Sequence, residues 1–179
     1  MGKLGDWLNV WEADIASRIR RIVLPDEGRS ALVDADEVCF FGAVRTLPRS
    51  MEYLQSLGTP QINPEVYIIG VKRGELVAPD IWFAPPRREQ LEAVAKILMR
   101  EMTELMNLCA EEGFFPPAAV KTAVTVSTGQ TFTKYEFDPL PGPPFAGMTA
   151  ADWAFDQWTN RIRDVGSAMQ ELQESKKTE

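Results

Sequence analysis

Three segments of the chain repeat apolar residues at three- and four-residue steps, the spacing that predicts amphipathic helices. They cover about residues 6–23, 87–112 and 149–173. Pro25 and Gly113 mark the ends of the first two segments, because proline cannot continue a helix and glycine commonly terminates one. The third segment alternates three- and four-residue steps as a heptad does, so we expect it to dock against another helix. That helix is either the first one of the same chain or one of a neighbouring subunit.

Shorter segments rich in β-branched and aromatic residues predict strands. The first strand lies within residues 31–44 and starts after the acidic residues at positions 34–37. Turn residues then separate two pairs of strands, which we interpret as β-hairpins. The predicted hairpins join Glu65–Val71 to Leu76–Phe83 and Val120–Val126 to Thr131–Phe137.

These elements predict one α+β domain. We expect a small antiparallel sheet, or a partly closed barrel, with one long covering helix and two terminal helices. A chain of 179 residues has the length of a single domain. Its predicted parts are an N-terminal helix at 1–24, an α+β body at 31–137, a proline-rich connector at 138–148 and a C-terminal helix at 149–173.

Charge and composition narrow the classes of partner. The chain has 26 Asp and Glu against 19 Lys and Arg, a net charge of -7, so contact with nucleic acid requires a local basic patch. No stretch approaches the ~20 apolar residues of a membrane span, and the first residues lack the apolar run of a signal peptide. The two cysteines, Cys39 and Cys109, are too few for a disulfide framework. We therefore expect a cytoplasmic protein with no membrane contact and with both thiols reduced and buried.

The absence of histidine from the sequence excludes the mechanisms that depend on it. Histidine supplies most general bases near neutral pH and most transition-metal ligands, and the common phosphate-binding glycine loops are absent as well. Asp34, Asp36 and Glu37 are the alternative, since carboxylates at i and i+2 of a strand face one side and could hold Mg²⁺ with help from another segment. A solvated turn before the strand is the simpler interpretation. We predict a protein that is not an enzyme, with no catalytic residue, cofactor or metal.

The second predicted hairpin provides the main binding hypothesis. Alternation places Phe132 and Lys134 on the face opposite Tyr135 and Phe137, with Lys121 across on the paired strand. An exposed aromatic ring beside lysines is the arrangement that stacks bases and neutralises phosphates. The simpler alternative is that one face of each hairpin packs on helices while the other carries ordinary surface charge. The first hairpin adds Lys72, Arg73 and Trp82 as candidates.

A resemblance to a known family follows from the segment Val124-Thr125-Val126-Ser127-Thr128-Gly129-Gln130-Thr131-Phe132-Thr133-Lys134-Tyr135-Glu136-Phe137. It resembles the late β-hairpin of phage-type single-stranded-DNA-binding proteins with OB-like folds. The resemblance implies a non-catalytic binding protein of a phage or mobile element, which binds single-stranded DNA through exposed hairpin faces. The chain departs from the family at residues 175–179, where many such proteins carry an acidic, phenylalanine-tipped tail that recruits partners.

A structural or assembly subunit is the alternative function. Aromatic-rich helical faces are typical of interface cores, although the same faces pack equally well inside one chain. This alternative predicts a homo-oligomer or a larger protein complex formed through the terminal helices. The candidate interface residues on those helices are Trp7, Trp11, Trp158, Ile162, Val165 and Met169.

Overall fold

A computed structural model describes residues 3–23, 34–44, 64–78 and 88–178 of the protein. Within those ranges the chain forms four helices and five strands. In chain order they are α1 Lys3–Val23, β1 Glu37–Val44, β2 Pro64–Lys72, β3 Glu75–Val77, α2 Arg88–Glu111, β4 Ala119–Thr125, β5 Thr131–Glu136, α3 Ala150–Val165 and α4 Ala168–Lys177.

The described strands form one antiparallel sheet in the order β3-β2-β1-β4-β5. Strand β1 is central, and its Phe41 lies between Tyr67 of β2 and Lys121 of β4. The α+β class and the second hairpin are confirmed. The first hairpin is confirmed as far as Val77, and residues 79–83 of its predicted second strand lie outside the described residues. The sheet is open, with β3 and β5 at its edges, so the alternative of a partly closed barrel is wrong.

Helices cover both faces of the sheet, which gives three layers. Helices α1 and α2 pack on one face, against a core that includes Val38 and Phe40 of β1. Helices α3 and α4 pack on the other face, against Cys39 and Phe41. Consecutive residues of β1 are therefore buried on opposite sides, as in a strand with no solvent face. The predicted single covering helix underestimates this coverage, because the C-terminal segment docks on the sheet as well.

The tight turn of the first hairpin follows from its two loop residues. Arg73 and Gly74 both have positive φ, 51° and 80°, between the paired residues Lys72 and Glu75. Positive φ at both loop positions is the type I′ geometry, which matches the right-handed twist of the flanking strands. The hairpin therefore accounts for the left-handed conformation of Arg73.

The C-terminal segment predicted as one helix over 149–173 is two helices. Gly166 adopts φ 80° and donates its N–H to Ile162 O, which ends α3, and Ser167 caps the start of α4 by accepting from Gln170 N. The two helices are then joined by Glu171, whose carboxylate accepts from Trp158 Nε1 at 2.6 Å and from Arg161 Nε at 3.0 Å. The heptad-like apolar spacing therefore continues across the point where one helix ends and the next begins.

Candidate functional site: an aromatic surface at one end of the sheet

The predicted nucleic-acid-binding face of the second hairpin lies beneath α3 and α4. Lys121 and Lys134 face each other across β4 and β5, and they are only 3% and 9% exposed. Phe132 packs against the core under α4, with Lys176 Nζ 5.3 Å from the centre of its ring. Alternation assigned these side chains to one face correctly. The prediction that this face is exposed is wrong, because helices cover both sides of the sheet.

Lys121 has protein partners that use its charge. It forms an ion pair with Glu136, and its Nζ lies 6.0 Å from the ring centre of Phe41 and 5.9 Å from that of Trp158. Burial lowers the pKa of the Lys121 ammonium, and the neighbouring Glu136 carboxylate partly offsets this effect. Both the burial and the ion pair withhold this lysine from a phosphate group.

The first hairpin places Lys72 and Arg73 at its turn. Lys72 Nζ lies 2.5 Å from Asp34 Oδ1, while the side chain of Arg73 is exposed. Trp82 lies outside the described residues. The structure therefore brings two of the predicted phosphate contacts together, but at the end of the sheet opposite to the exposed aromatic rings described below.

Most of the predicted interface residues belong to the core of the chain itself. Trp11 is 7% exposed, Trp158 and Ile162 are fully buried, and Met169 is 7% exposed, so the prediction that these four form an intersubunit contact is wrong. Their helical faces pack on the sheet instead. Trp7 and Val165 are half-buried at the margins of the same helices.

The acidic residues before β1 hold the structure together at one end of the sheet. Asp36 Oδ2 accepts the backbone N–H of Arg73 at 2.7 Å, and Glu37 Oε2 accepts that of Ala168 at 2.6 Å. Both carboxylates line a cleft of ≈ 490 Å³ between the two hairpin turns and the junction of α3 with α4. The described residues contain no group of three or more acidic, cysteine or histidine ligands arranged for a metal ion. The carboxylates thus act as backbone acceptors.

Neither thiol has the character of a nucleophile. Cys39 and Cys109 are both buried, as the sequence predicted. Burial raises the pKa of both thiols, to about 11 for Cys109. The thiolate is the reactive form of cysteine, so at neutral pH both side chains behave as small apolar groups.

Exposed aromatic rings collect at the opposite end of the sheet from the cleft. Phe115, Phe137 and Phe145 are 51%, 46% and 66% exposed. The backbone N–H of Ala118 donates to Glu136 O at 2.6 Å, so this bond ties the chain just after Phe115 to the residue before Phe137. We call these three residues the phenylalanine surface.

Phe145 reaches this end through the connector between β5 and α3. The connector runs from the end of β5 to the start of β2, three strand spacings or about 14 Å away. It is fixed there because Thr149 Oγ1 donates to Glu65 Oε2 at 3.1 Å and the Tyr67 hydroxyl donates to Asp152. Leu140 packs into the core beneath it. Phe145 therefore belongs to the stretch of chain that links these two ends.

The sequence carried a signal for these rings that the predicted sites did not use. Phe115 precedes Pro116, Phe145 follows Pro144, and Phe137 lies two residues before Pro139. Prolines interrupt regular helices and strands, so no helical or strand period runs through these segments. A phenylalanine there has no periodic pattern that would assign it to the core.

Comparisons with known proteins leave the function to be argued from the structure. No family model and no curated protein matches the chain. Among the described helices, none combines the length and the apolar character that crossing a bilayer requires.

Proposed function

We propose that the protein is a non-catalytic docking subunit, which binds a partner protein of a larger assembly through the phenylalanine surface. The exposure of three phenylalanines at one end of the sheet carries this proposal. With ~200 Å² for a whole phenylalanine side chain, the three expose about 330 Å². This total area is comparable with the largest apolar patch of a typical monomer, and such a patch is often a binding site.

The backbone that presents the rings is anchored before any partner arrives. Pro116 and Pro117, which follow Phe115 in the chain, are buried. Leu140, which lies between Phe137 and Phe145 in the sequence, packs against the core. A surface that is already ordered loses less conformational entropy on binding. This favours specific docking.

The exposed area sets an upper limit on what the rings contribute. At about 25 cal/mol per Å², covering 330 Å² stabilises a complex by up to ~8 kcal/mol before the costs of association are subtracted. A stable interface buries about 800 Å² on each partner, so polar residues around the rings must take part in the contact.

Binding of single-stranded nucleic acid through the hairpins has weaker support. Lys121 and Lys134 are buried, and Lys72 is paired with Asp34. Arg73 remains as an exposed cation on a chain of net charge -7. A protein partner therefore fits the described surface better than a polyanion does.

A peptide selection with a counter-selected variant tests the proposal. A random 12-residue peptide library is selected on the full chain and depleted on F115S/F137S/F145S. Because the three rings are largely exposed, their substitution should leave the fold intact, and urea unfolding of the variant checks this. We expect peptides that bind the parent chain at least ~10-fold more tightly than the variant, since several rings lose their contact.

Val10 supplies the matched control. It is 70% exposed on α1, so V10S removes an exposed apolar side chain that is not one of the three rings. Binding of the selected peptides should not change in V10S. Peptides that bind the parent chain and the triple phenylalanine variant equally would show that the surface is not a docking site.

A further inference from the structure

Exposed carboxylates adjoin two of the three phenylalanines along the chain. Glu111 and Glu112 are exposed at the end of α2, separated from Phe114 and Phe115 by Gly113, and Asp138 is exposed directly after Phe137. No ion pair joins these three carboxylates to a described residue. Unpaired carboxylates therefore adjoin Phe115 and Phe137 in the described part of the chain.

The described segments that form this end of the sheet carry no compensating cations. Residues 101–120 and residues 135–160 contain neither lysine nor arginine. The lysines of the adjoining strands, Lys121 and Lys134, are buried under α3 and α4. Arg45 and Arg49 lie outside the described residues, and the described segments at this end carry a net negative charge.

The placement of Glu111 and Glu112 is unfavourable for the helix itself. The C-terminal end of a helix carries a partial negative charge and favours lysine or arginine nearby. Helix α2 has no basic residue in its last turn and ends instead in a glutamate, with a second one following. Local stability does not account for these two carboxylates, whereas a cationic partner would.

We propose that the partner docks with a basic amphipathic segment, which places apolar side chains on the phenylalanine rings and lysine or arginine on Glu111, Glu112 and Asp138. This inference rests on the proposed function and adds the chemistry of the partner. Arginine suits such a site in two ways, because its guanidinium pairs with carboxylates and stacks on aromatic faces.

A second copy of the chain is a poor occupant of the same surface. In a two-fold contact each surface meets itself, so Glu111, Glu112 and Asp138 of one copy would approach those of the other. Like charges across an interface oppose association. We therefore expect the chain alone to sediment as a 20.1 kDa monomer.

The test uses the peptides that require the three rings. Their affinity is measured by fluorescence anisotropy for the parent chain and for E111Q/E112Q/D138N, at low and at high salt. We expect the peptides to be enriched in lysine and arginine, and the amide variant to bind them about 10-fold more weakly at low salt. The difference should nearly vanish at high salt, because exposed charges are screened.

The control is E75Q/D164N/E174Q, which changes the net charge equally at exposed positions away from the rings. It should bind as the parent chain does at either salt concentration. Ring-dependent peptides that are neutral or acidic, or that bind the amide variant and the parent equally at low salt, would overturn the basic partner and leave the docking surface standing. A dimer of the chain that F115S/F137S/F145S abolishes would also overturn it. If no selected peptide requires the rings, the proposed function fails.

Discussion

Replacing Glu37 by alanine tests how the C-terminal helices are held on the sheet. Glu37 is the first residue of β1 and is 8% exposed. Its carboxylate accepts from Ser167 Oγ at 2.7 Å, from Ala168 N at 2.6 Å and from Met169 N at 3.3 Å. A buried carboxylate thus satisfies the first turn of α4 and complements the positive end of its dipole.

The cost of the substitution follows from these contacts. Hydrogen bonds to a charged acceptor contribute about 1.5–3 kcal/mol net, and the interaction with the helix dipole adds about 1 kcal/mol. Water entering the adjoining cleft can hydrogen-bond to some of the backbone N–H groups that lose Glu37 as their acceptor. We therefore expect Glu37→Ala to lower the free energy of unfolding by about 3 kcal/mol. Glu37→Gln, which keeps an acceptor oxygen without the charge, should lower it by about 1.5 kcal/mol.

Urea unfolding measures both values. The midpoint should fall at an unchanged m-value, because the surface exposed on unfolding stays the same. Asp34→Ala is the control, since its ion pair with Lys72 is exposed and should contribute less than about 0.5 kcal/mol. If Glu37→Ala lies within about 1 kcal/mol of the parent chain, the carboxylate is not what anchors α4.

Three further predictions follow from the described contacts. Glu136→Gln should lower the free energy of unfolding by about 3 kcal/mol, because it leaves the buried Lys121 ammonium without the carboxylate that pairs with it. Lys121→Met removes the buried charge and should be nearly neutral. Equal costs for the two variants would contradict this. Burial raises the pKa of the Cys109 thiol to about 11, so the unfolded chain loses this proton first as the pH rises. Between pH 9 and about 11 the folded state should therefore lose about 3 kcal/mol of stability that Cys109→Ala retains, and parallel pH profiles of the two chains would refute this. Fluorescence titration with labelled single-stranded DNA at low salt should show no saturable binding, and binding that K72Q/R73Q abolishes would restore the hairpin hypothesis.

Local patterns predicted the elements of the fold but not how the layers cover the sheet. The hairpin of β4 and β5 followed from alternation and turn residues, and it is present. The run Val38-Cys39-Phe40-Phe41 has no polar alternation, which is typical of a strand buried on both faces. That run indicated a second covering layer. Once the second layer is recognised, Phe132 and Lys134 can no longer form an exposed groove.

The break between α3 and α4 had a local signal that the heptad-like spacing obscured. Gly166 followed by Ser167 is a helix terminator followed by a helix cap. The apolar spacing continues because Trp158 and Met169 both pack on the sheet, although they belong to different helices. Periodicity reports which side chains are buried, and it does not require one continuous backbone.

The candidate site depends on pairings between residues distant in sequence. The hydrogen bond between Ala118 and Glu136 brings the segment of Phe115 next to that of Phe137. Composition does not specify the strand register that this bond requires. The same holds for the ion pair of Lys121, whose partner lies 15 residues away on the next strand. Proline neighbours marked the exposed rings individually, but only the sheet shows that they share one end of the molecule.

Phe137 offers the most direct test of whether the exposed phenylalanines at this end of the sheet bind a partner. Phe137 exposes roughly 90 Å² of its ~200 Å², which corresponds to at most ~2.3 kcal/mol if it is fully covered. Isothermal titration calorimetry measures the affinity of the tightest ring-dependent peptide for the parent chain, F137S and V10S. This compares the Phe137 ring directly with an exposed apolar side chain on α1. If the rings bind the partner, F137S binds the peptide about 10-fold more weakly and V10S binds it unchanged. Equal affinity for all three chains would contradict it.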